Sequence, residues 1–309
     1  MVVINDNMEN ISLEDETCIA LGTFDGIHIG HKALINECVA SARKNGIKSV
    51  VVTFDVLPMS IIAPDTHPGI IMDNNMKIAM IEKMGVDYLI FLHFSKGFAM
   101  TDSQVFLEFL TKRLNARMLI CGYNYSFGKH GSGNGSMLEK YKSKLGYELK
   151  VFEPVRCDGQ DVSSTVIREK LINGDVEEAS RFLGYRYFFK GVVQEGKGIG
   201  DSLGYPTANL YIPENMAIRN GIYIAYTYLS NKKYRSICNI GYAPTFEGRK
   251  RCMEVHLLNY KGSLYGQSIK TEFIKLLRDE RKFNSVEELK NQISNDIRKT
   301  EEYFCSNKE

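Results

Sequence analysis

Apolar and polar residues alternate along this chain in two textures. From Thr17 to Glu153, short runs rich in β-branched and aromatic residues are separated by stretches whose apolar positions follow a helical period. Cys18 to Leu21, Ser49 to Phe54, Tyr88 to Leu92, Met118 to Cys121 and Leu149 to Phe152 predict short strands, the first of them buried. Between them, Lys32 to Asn45 reads as a helix ended by Gly46, and Asn74 to Met84 as one stopped by Gly85. Val105 to Leu114 reads as a third, behind a Thr101-x-x-Gln104 capping box. Repeated strand then helix predicts a doubly wound parallel α/β sheet, because parallel neighbours need a crossover.

After Arg168 two short helical patterns end at Gly184, and the texture changes. Tyr187 to Val193, Tyr223 to Leu229, Tyr234 to Ile240, Met253 to Leu258 and Ile269 to Leu276 follow one another without intervening helices. That succession predicts an antiparallel sheet closed as a small barrel, with a domain boundary near Gly184 giving domains 1–184 and 185–309. Ser285-Val286-Glu287-Glu288 is a capping box, and Val286, Leu289, Ile293, Ile297 and Phe304 form the apolar stripe of a terminal helix that packs on the barrel.

With 309 residues there is chain enough for two cores, and 44% hydrophobic with 25% charged residues is ordinary globular composition. A net charge of +2 argues for neither nucleic acid nor a membrane as partner. From Tyr185 onward twenty Lys and Arg stand against fourteen Asp and Glu, an asymmetry that suits phosphorylated small molecules. The first residues turn acidic, unlike a secretory leader, and no apolar run is long enough to span a bilayer, so a cytoplasmic protein is expected. Seven cysteines without C-x-x-C spacing read as reduced core residues.

The chemistry concentrates where the first strand gives way to a helix, at Leu21-Gly22-Thr23-Phe24-Asp25-Gly26-Ile27-His28-Ile29-Gly30-His31. Ligands of doubly wound sheets sit at the carboxyl ends of strands, and a helix N-terminus favours an anion. Gly26 and Gly30 allow close approach of a phosphate, and His28 and His31, three apart, can both face it and donate to charge developing on an attacked α-phosphate. An isolated H-x-x-H is more often a surface pair; the surrounding strand, turn and helix set this one apart. The glycine-rich, aromatic loop Gly122 to Gly135 follows the fourth predicted strand, again at a ligand-bearing end. Ser163-Ser164-Thr165-Val166-Ile167-Arg168 opens a helix, with a hydroxyl and a guanidinium for outer phosphates.

The pattern G-x-F-D-G-x-H-x-G-H resembles the nucleotidylyltransferase superfamily, and its H-I-G-H is also the signature of class I aminoacyl-tRNA synthetases. Those enzymes carry a KMSKS motif where this chain has Ser163 to Arg168, and no such motif is present. With the loop G-x-N-[FY]-x-F-G and S-S-T-x-I-R in order, the first half resembles the FAD synthetase module of bacterial bifunctional riboflavin kinase/FMN adenylyltransferases. The resemblance implies His28 and His31 as catalytic, and Gly22, Phe24, Asp25, Gly30, Asn124, Ser164 and Arg168 as ATP or FMN contacts. One departure is that the family's T-F-x-P-H-P is Thr53-Phe54-Asp55-Val56-Leu57-Pro58 here, without the histidine.

In the second half, Glu195 to Leu210 is glycine-rich but lacks the spacing and helix of a dinucleotide fingerprint, and reads instead as a loop presenting N–H groups to phosphates. Thr207 and Asn209, two apart on a strand-like segment, can turn hard oxygen ligands to one side for Mg²⁺ carrying ATP. The run G-x-x-L-G-[FY]-P-T-A-N-L, with Asn220 to Tyr223, Asn239 to Phe246, Met253 to Leu258, Leu264 to Gly266 and Leu277 to Phe283, resembles riboflavin kinase. Asp201 and Ala243 stand where that family usually has arginine. The resemblance implies Glu254 as general base, and Gly198, Gly200, Gly204, Pro206, Thr207, Asn209 and Arg278 as ATP or flavin contacts. Together the halves imply ATP-dependent phosphorylation of riboflavin to FMN, then adenylylation of FMN to FAD. The alternative is a kinase whose first domain only binds flavin or nucleotide.

Overall fold

The computed structural model describes all residues except 68, 196–199, 201–203, 246–247 and 308–309, and the backbone alone at 243–245 and 248. It divides into two compact units, Met1–Ser164 and Thr165–Glu309.

The first unit is built on a six-stranded sheet. Its strands are β1 (Val2–Asp6), β2 (Thr17–Leu21), β3 (Lys48–Phe54), β4 (Tyr88–Leu92), β5 (Ala116–Gly122) and β6 (Glu148–Phe152). All pairings are parallel, in the order β1-β4-β3-β2-β5-β6. The chain steps from β2 outward through β3 to β4, then returns to the other side of β2 for β5. The carboxyl ends of β2 and β5 therefore flank the topological switch point, where this architecture opens its crevice. The five predicted strands are present, and β1 is a sixth that the sequence reading missed. It is an edge strand with Val2 and Val3 exposed, so it shows neither alternation nor a buried apolar run.

Two helix starts differ from expectation. Helix α1 (Ile29–Asn45) begins three residues early because His28 caps it, its Nδ1 accepting from the His31 N–H at 3.2 Å. The helix from Ser103 to Glu108 is capped by Asp102, whose carboxylate accepts from the Gln104 N–H at 2.7 Å, and not by Thr101. It widens into a π turn over Phe109–Arg113. On one face of the sheet Phe106, Phe109, Leu110, Leu119, Cys121 and Phe127 belong to a common core. Five of the seven cysteines are buried and all are free thiols; burial raises the Cys121 thiol to about 11.

The second unit begins one residue into the helix Ser164–Asn173, which with the helix Val176–Leu183 precedes an antiparallel sheet. Its strands are β7 (Phe188–Val192), β8 (Ala208–Tyr211), β9 (Gly221–Leu229), β10 (Lys232–Thr245), β11 (Gly248–Leu257) and β12 (Ser268–Arg278), ordered β7-β12-β9-β10-β11-β8. A bridge between Gln194 and Asn209, with the Gln194 N–H donating to the Asn209 carbonyl at 2.8 Å, brings the two end strands together into a nearly closed barrel. The terminal helix Val286–Ser306 is capped by Ser285 as expected. Its stripe is narrower, since Val286 is 67% exposed.

That helix is pinned by charge. Asp296, 2% exposed, receives Nε of Arg278 at 2.9 Å and Nη2 at 2.6 Å, and the Gln292 amide at 2.6 Å. Nη1 of Arg278 donates to the Asp279 carbonyl, so this arginine, expected among the ligand contacts, is engaged within the protein. Arg278→Met should cost about 3 kcal/mol, because the buried carboxylate loses its cation, and lower the melting temperature by roughly 6–12 °C. Arg278→Met with Asp296→Leu should recover most of that loss; equal damage in the single and double variants would show that the pair is not what holds the helix.

Candidate active sites

Beyond β2 the chain makes a turn that Gly22 and Gly26 permit. A Cβ on Gly22 would touch the Phe24 ring at 3.0 Å, and Gly26 sits at φ +83°. Phe24 and Ile27 also take positive φ, 47° and 36°, and both are fully buried. Phe24 meets His31 edge-on, with centroids 5.2 Å apart. Phe24 and Asp25, expected among the ligand contacts, instead support the turn from beneath. Asp25 is 1% exposed, and its carboxylate accepts from the N–H groups of Ile71 and Met72 at 3.0–3.2 Å. Ser164 donates its hydroxyl to the Asp25 carbonyl at 2.9 Å, tying the later motif to the same turn.

The structure brings the two histidines together. Their rings stack at 3.6 Å and 19°, with His28 6% exposed and His31 partly so. Because Nδ1 of His28 accepts from a backbone N–H, its neutral tautomer carries the proton on Nε2, a donor. Gly30 has a reason within the protein: a Cβ there would press on the His28 ring at 3.2 Å. The histidines thus stand at the positive end of α1, just beyond the end of β2 that borders the switch point.

The loop after β5 is ordered. Ser126–Phe127 pairs with Gly133–Asn134, and a side chain at Gly133 would run into the Phe127 ring. Asn124 is exposed at its start. The segment without the family histidine is anchored too. Asp55 accepts from the Phe94 N–H at 2.9 Å and meets His93 Nδ1 at 2.6 Å, which joins the ends of β3 and β4. Arg168 lies in the second unit.

In the barrel, Glu254 on β11 pairs with Asn209 of β8 on one side and Asn239 of β10 on the other. Residues directly opposite in antiparallel strands project to the same face, so the three form one polar row, all half-buried. Asn239 Nδ2 approaches Glu254 Oε2 at 3.4 Å. Asn209 Nδ2 lies 3.5 Å from the Thr207 carbonyl, which turns its Oδ1 the other way. Two residues along the same face, His256 Nδ1 donates to the Pro206 carbonyl at 2.7 Å, holding the Pro206-Thr207 segment beside the row. Gly200 approaches Thr207 closely, and Gly204 takes φ +84°. Gly198 and Asp201 lie outside the described residues, and so does Phe246.

Glu280 stands near Glu254. Burial, and then repulsion from Glu254, raises its carboxyl above the usual range, and a side chain at Gly241 would collide with it. Asn239, His256 and Glu280 were not singled out from sequence. Strand alternation places His256 on the face of Glu254, whereas Asn239 becomes its neighbour only through strand register and Glu280 only through the segment that follows β12.

An anion-ready turn on a doubly wound α/β sheet and a carboxylate–amide row on an antiparallel barrel define a two-module nucleotide-dependent transferase. Residues 10–166 match the FAD synthetase family and residues 183–304 the riboflavin kinase family. The bifunctional riboflavin kinase/FMN adenylyltransferase of Bacillus subtilis is 33% identical over 297 residues, covering 94% of this chain and 93% of that protein. The Escherichia coli K12 protein of the same description is 31% identical over 292 residues, covering 94% and 93%. A solved structure described as a macrolide-efflux protein from Streptococcus pneumoniae is 30% identical with a TM-score of 0.83, covering 97% of this chain and 99% of that one. Among the described residues here, no helix is long and apolar enough to cross a membrane. The chain belongs to the bifunctional riboflavin kinase/FMN adenylyltransferase family. It makes FMN from riboflavin and ATP, and FAD from FMN and ATP. The relatives support this reading and not a first domain reduced to binding.

Proposed function

We propose that residues 1–184 carry adenylyl transfer through His28 and His31, and that residues 185–309 carry phosphorylation through Glu254. The polar row Asn209-Glu254-Asn239 supports the second assignment most directly, because it sets a carboxylate beside hard oxygen donors. Glu254 accepts the proton of the ribityl 5′-hydroxyl as that oxygen attacks the γ-phosphorus of ATP, and ADP departs. The Asn239 amide keeps the carboxylate aligned. The Thr207 hydroxyl and Asn209 Oδ1 fit Mg²⁺, which when bound neutralises phosphate charge.

Adenylyl transfer has other needs. The FMN phosphate is already largely dianionic near neutral pH, its second pKa being about 6, so no base is required. Its oxygen attacks the α-phosphorus of ATP and pyrophosphate leaves. The histidines and the first N–H groups of α1 stabilise the charge that develops. Incubation with riboflavin, ATP and Mg²⁺ should give FMN first and FAD after a lag. FMN accumulating without FAD would overturn the assignment of the first domain.

A further inference from the structure

The helix Asn74–Glu82 buries Met76 and Ile81 and, between them on the same side, Lys77, which is 3% exposed. A buried lysine is costly unless it is paired, and the mechanism above makes no use of it. Its Nζ donates to the Thr23 carbonyl at 2.9 Å. The same carbonyl receives the Thr53 hydroxyl from β3 at 2.9 Å. Two residues on, Asp25 is tied to Ile71 and Met72 just ahead of the helix that carries Lys77. Thr23 and Asp25 bracket Phe24, whose positive φ, like that of Ile27, persists only where the surroundings hold it. The turn delivering His28 and His31 is thus drawn toward the lysine through one carbonyl and through the charge of one carboxylate.

We propose that Lys77 is a positioning residue for adenylyl transfer: its ammonium, bonded to Thr23 and balancing Asp25, sets the turn that places the two histidines. The proposal rests on the assignment of adenylyl transfer to this domain. Asp25 is the charged group acting on the ammonium; β3 faces it with the Thr53 hydroxyl and β4 with the Phe91 ring, 5.7 Å away. On its own helix, the Asp73 carboxylate is used in capping Met76.

Burial lowers the Lys77 ammonium to about 8, opposed by Asp25. The folded state therefore loses this proton near pH 8, whereas the unfolded chain keeps it until about 10.4. Between those values the unfolded state binds more protons, so this group makes stability rise with pH. Loss of activity over the same range would run opposite to loss of fold, which a purely structural lysine would not produce.

The test is Lys77→Met, which keeps the apolar length without the charge, in the full chain. Its kcat for FAD formation from FMN and ATP should fall about tenfold or more with little change in KM, since small misplacements of reacting groups cost that much. Riboflavin phosphorylation should stay within twofold. The wild-type kcat for FAD should decline with a midpoint near pH 8, and the variant should lack that decline. Normal FAD formation by the variant, equal loss of both activities, or an alkaline limb that survives the substitution would overturn the proposal. Wild-type protein that makes no FAD would instead overturn the assignment on which it rests.

Discussion

Replacing Glu254 by glutamine should lower riboflavin phosphorylation roughly 10²–10⁴-fold, the range expected for losing a general base. Glutamine keeps the shape of the side chain and can still meet Asn239 across the strands, so neither the row nor the barrel has reason to rearrange. Loss in kcat with KM for ATP nearly unchanged would identify a group acting in the transition state. FAD formation from supplied FMN should persist, because Glu254 belongs to the second unit and adenylyl transfer is assigned to the first. A variant that phosphorylates riboflavin at a tenth of the wild-type rate or better would remove Glu254 from the chemistry.

The paired change His28→Ala with His31→Ala should act in the opposite sense, cutting FAD formation by about 10²-fold or more while FMN formation survives. Some of that loss has a structural source, since His28 also caps α1. Losing a cap costs about 1 kcal/mol, whereas a hundredfold loss of rate corresponds to about 2.7 kcal/mol, so capping alone is too small. His28→Asn separates the two contributions, because asparagine can cap the helix but offers no imidazole. Full FAD formation by His28→Asn would reduce that histidine to a cap.

The first domain was legible in sequence where elements state their own boundaries. Apolar runs marked β2 to β6, and the alternation of strand and helix gave the parallel sheet with its motif at a strand end. The helix starts were less legible. A histidine cap at position 28 falls outside the usual Ser, Thr, Asp and Asn set, and adjacent Thr101 and Asp102 compete for one cap that the stronger acceptor takes. The supports of the site were not legible at all. Lys77 lies 54 residues from Thr23, and Asp25 lies 46 from Ile71, so neither contact leaves a periodic trace. A lysine between Met76 and Ile81 on an apolar helix face was the available signal. Phe24 and Asp25 were correctly placed in the turn but turned inward, because a glycine pattern marks close approach without saying which neighbour approaches.

The barrel closes at Gln194 and Asn209, and Asn209 also stands in the row with Glu254. Its main chain is the zip of the cylinder while its side chain stands in the row proposed as the reaction centre. A ligand gripping that side chain would therefore also brace the residue that seals the wall.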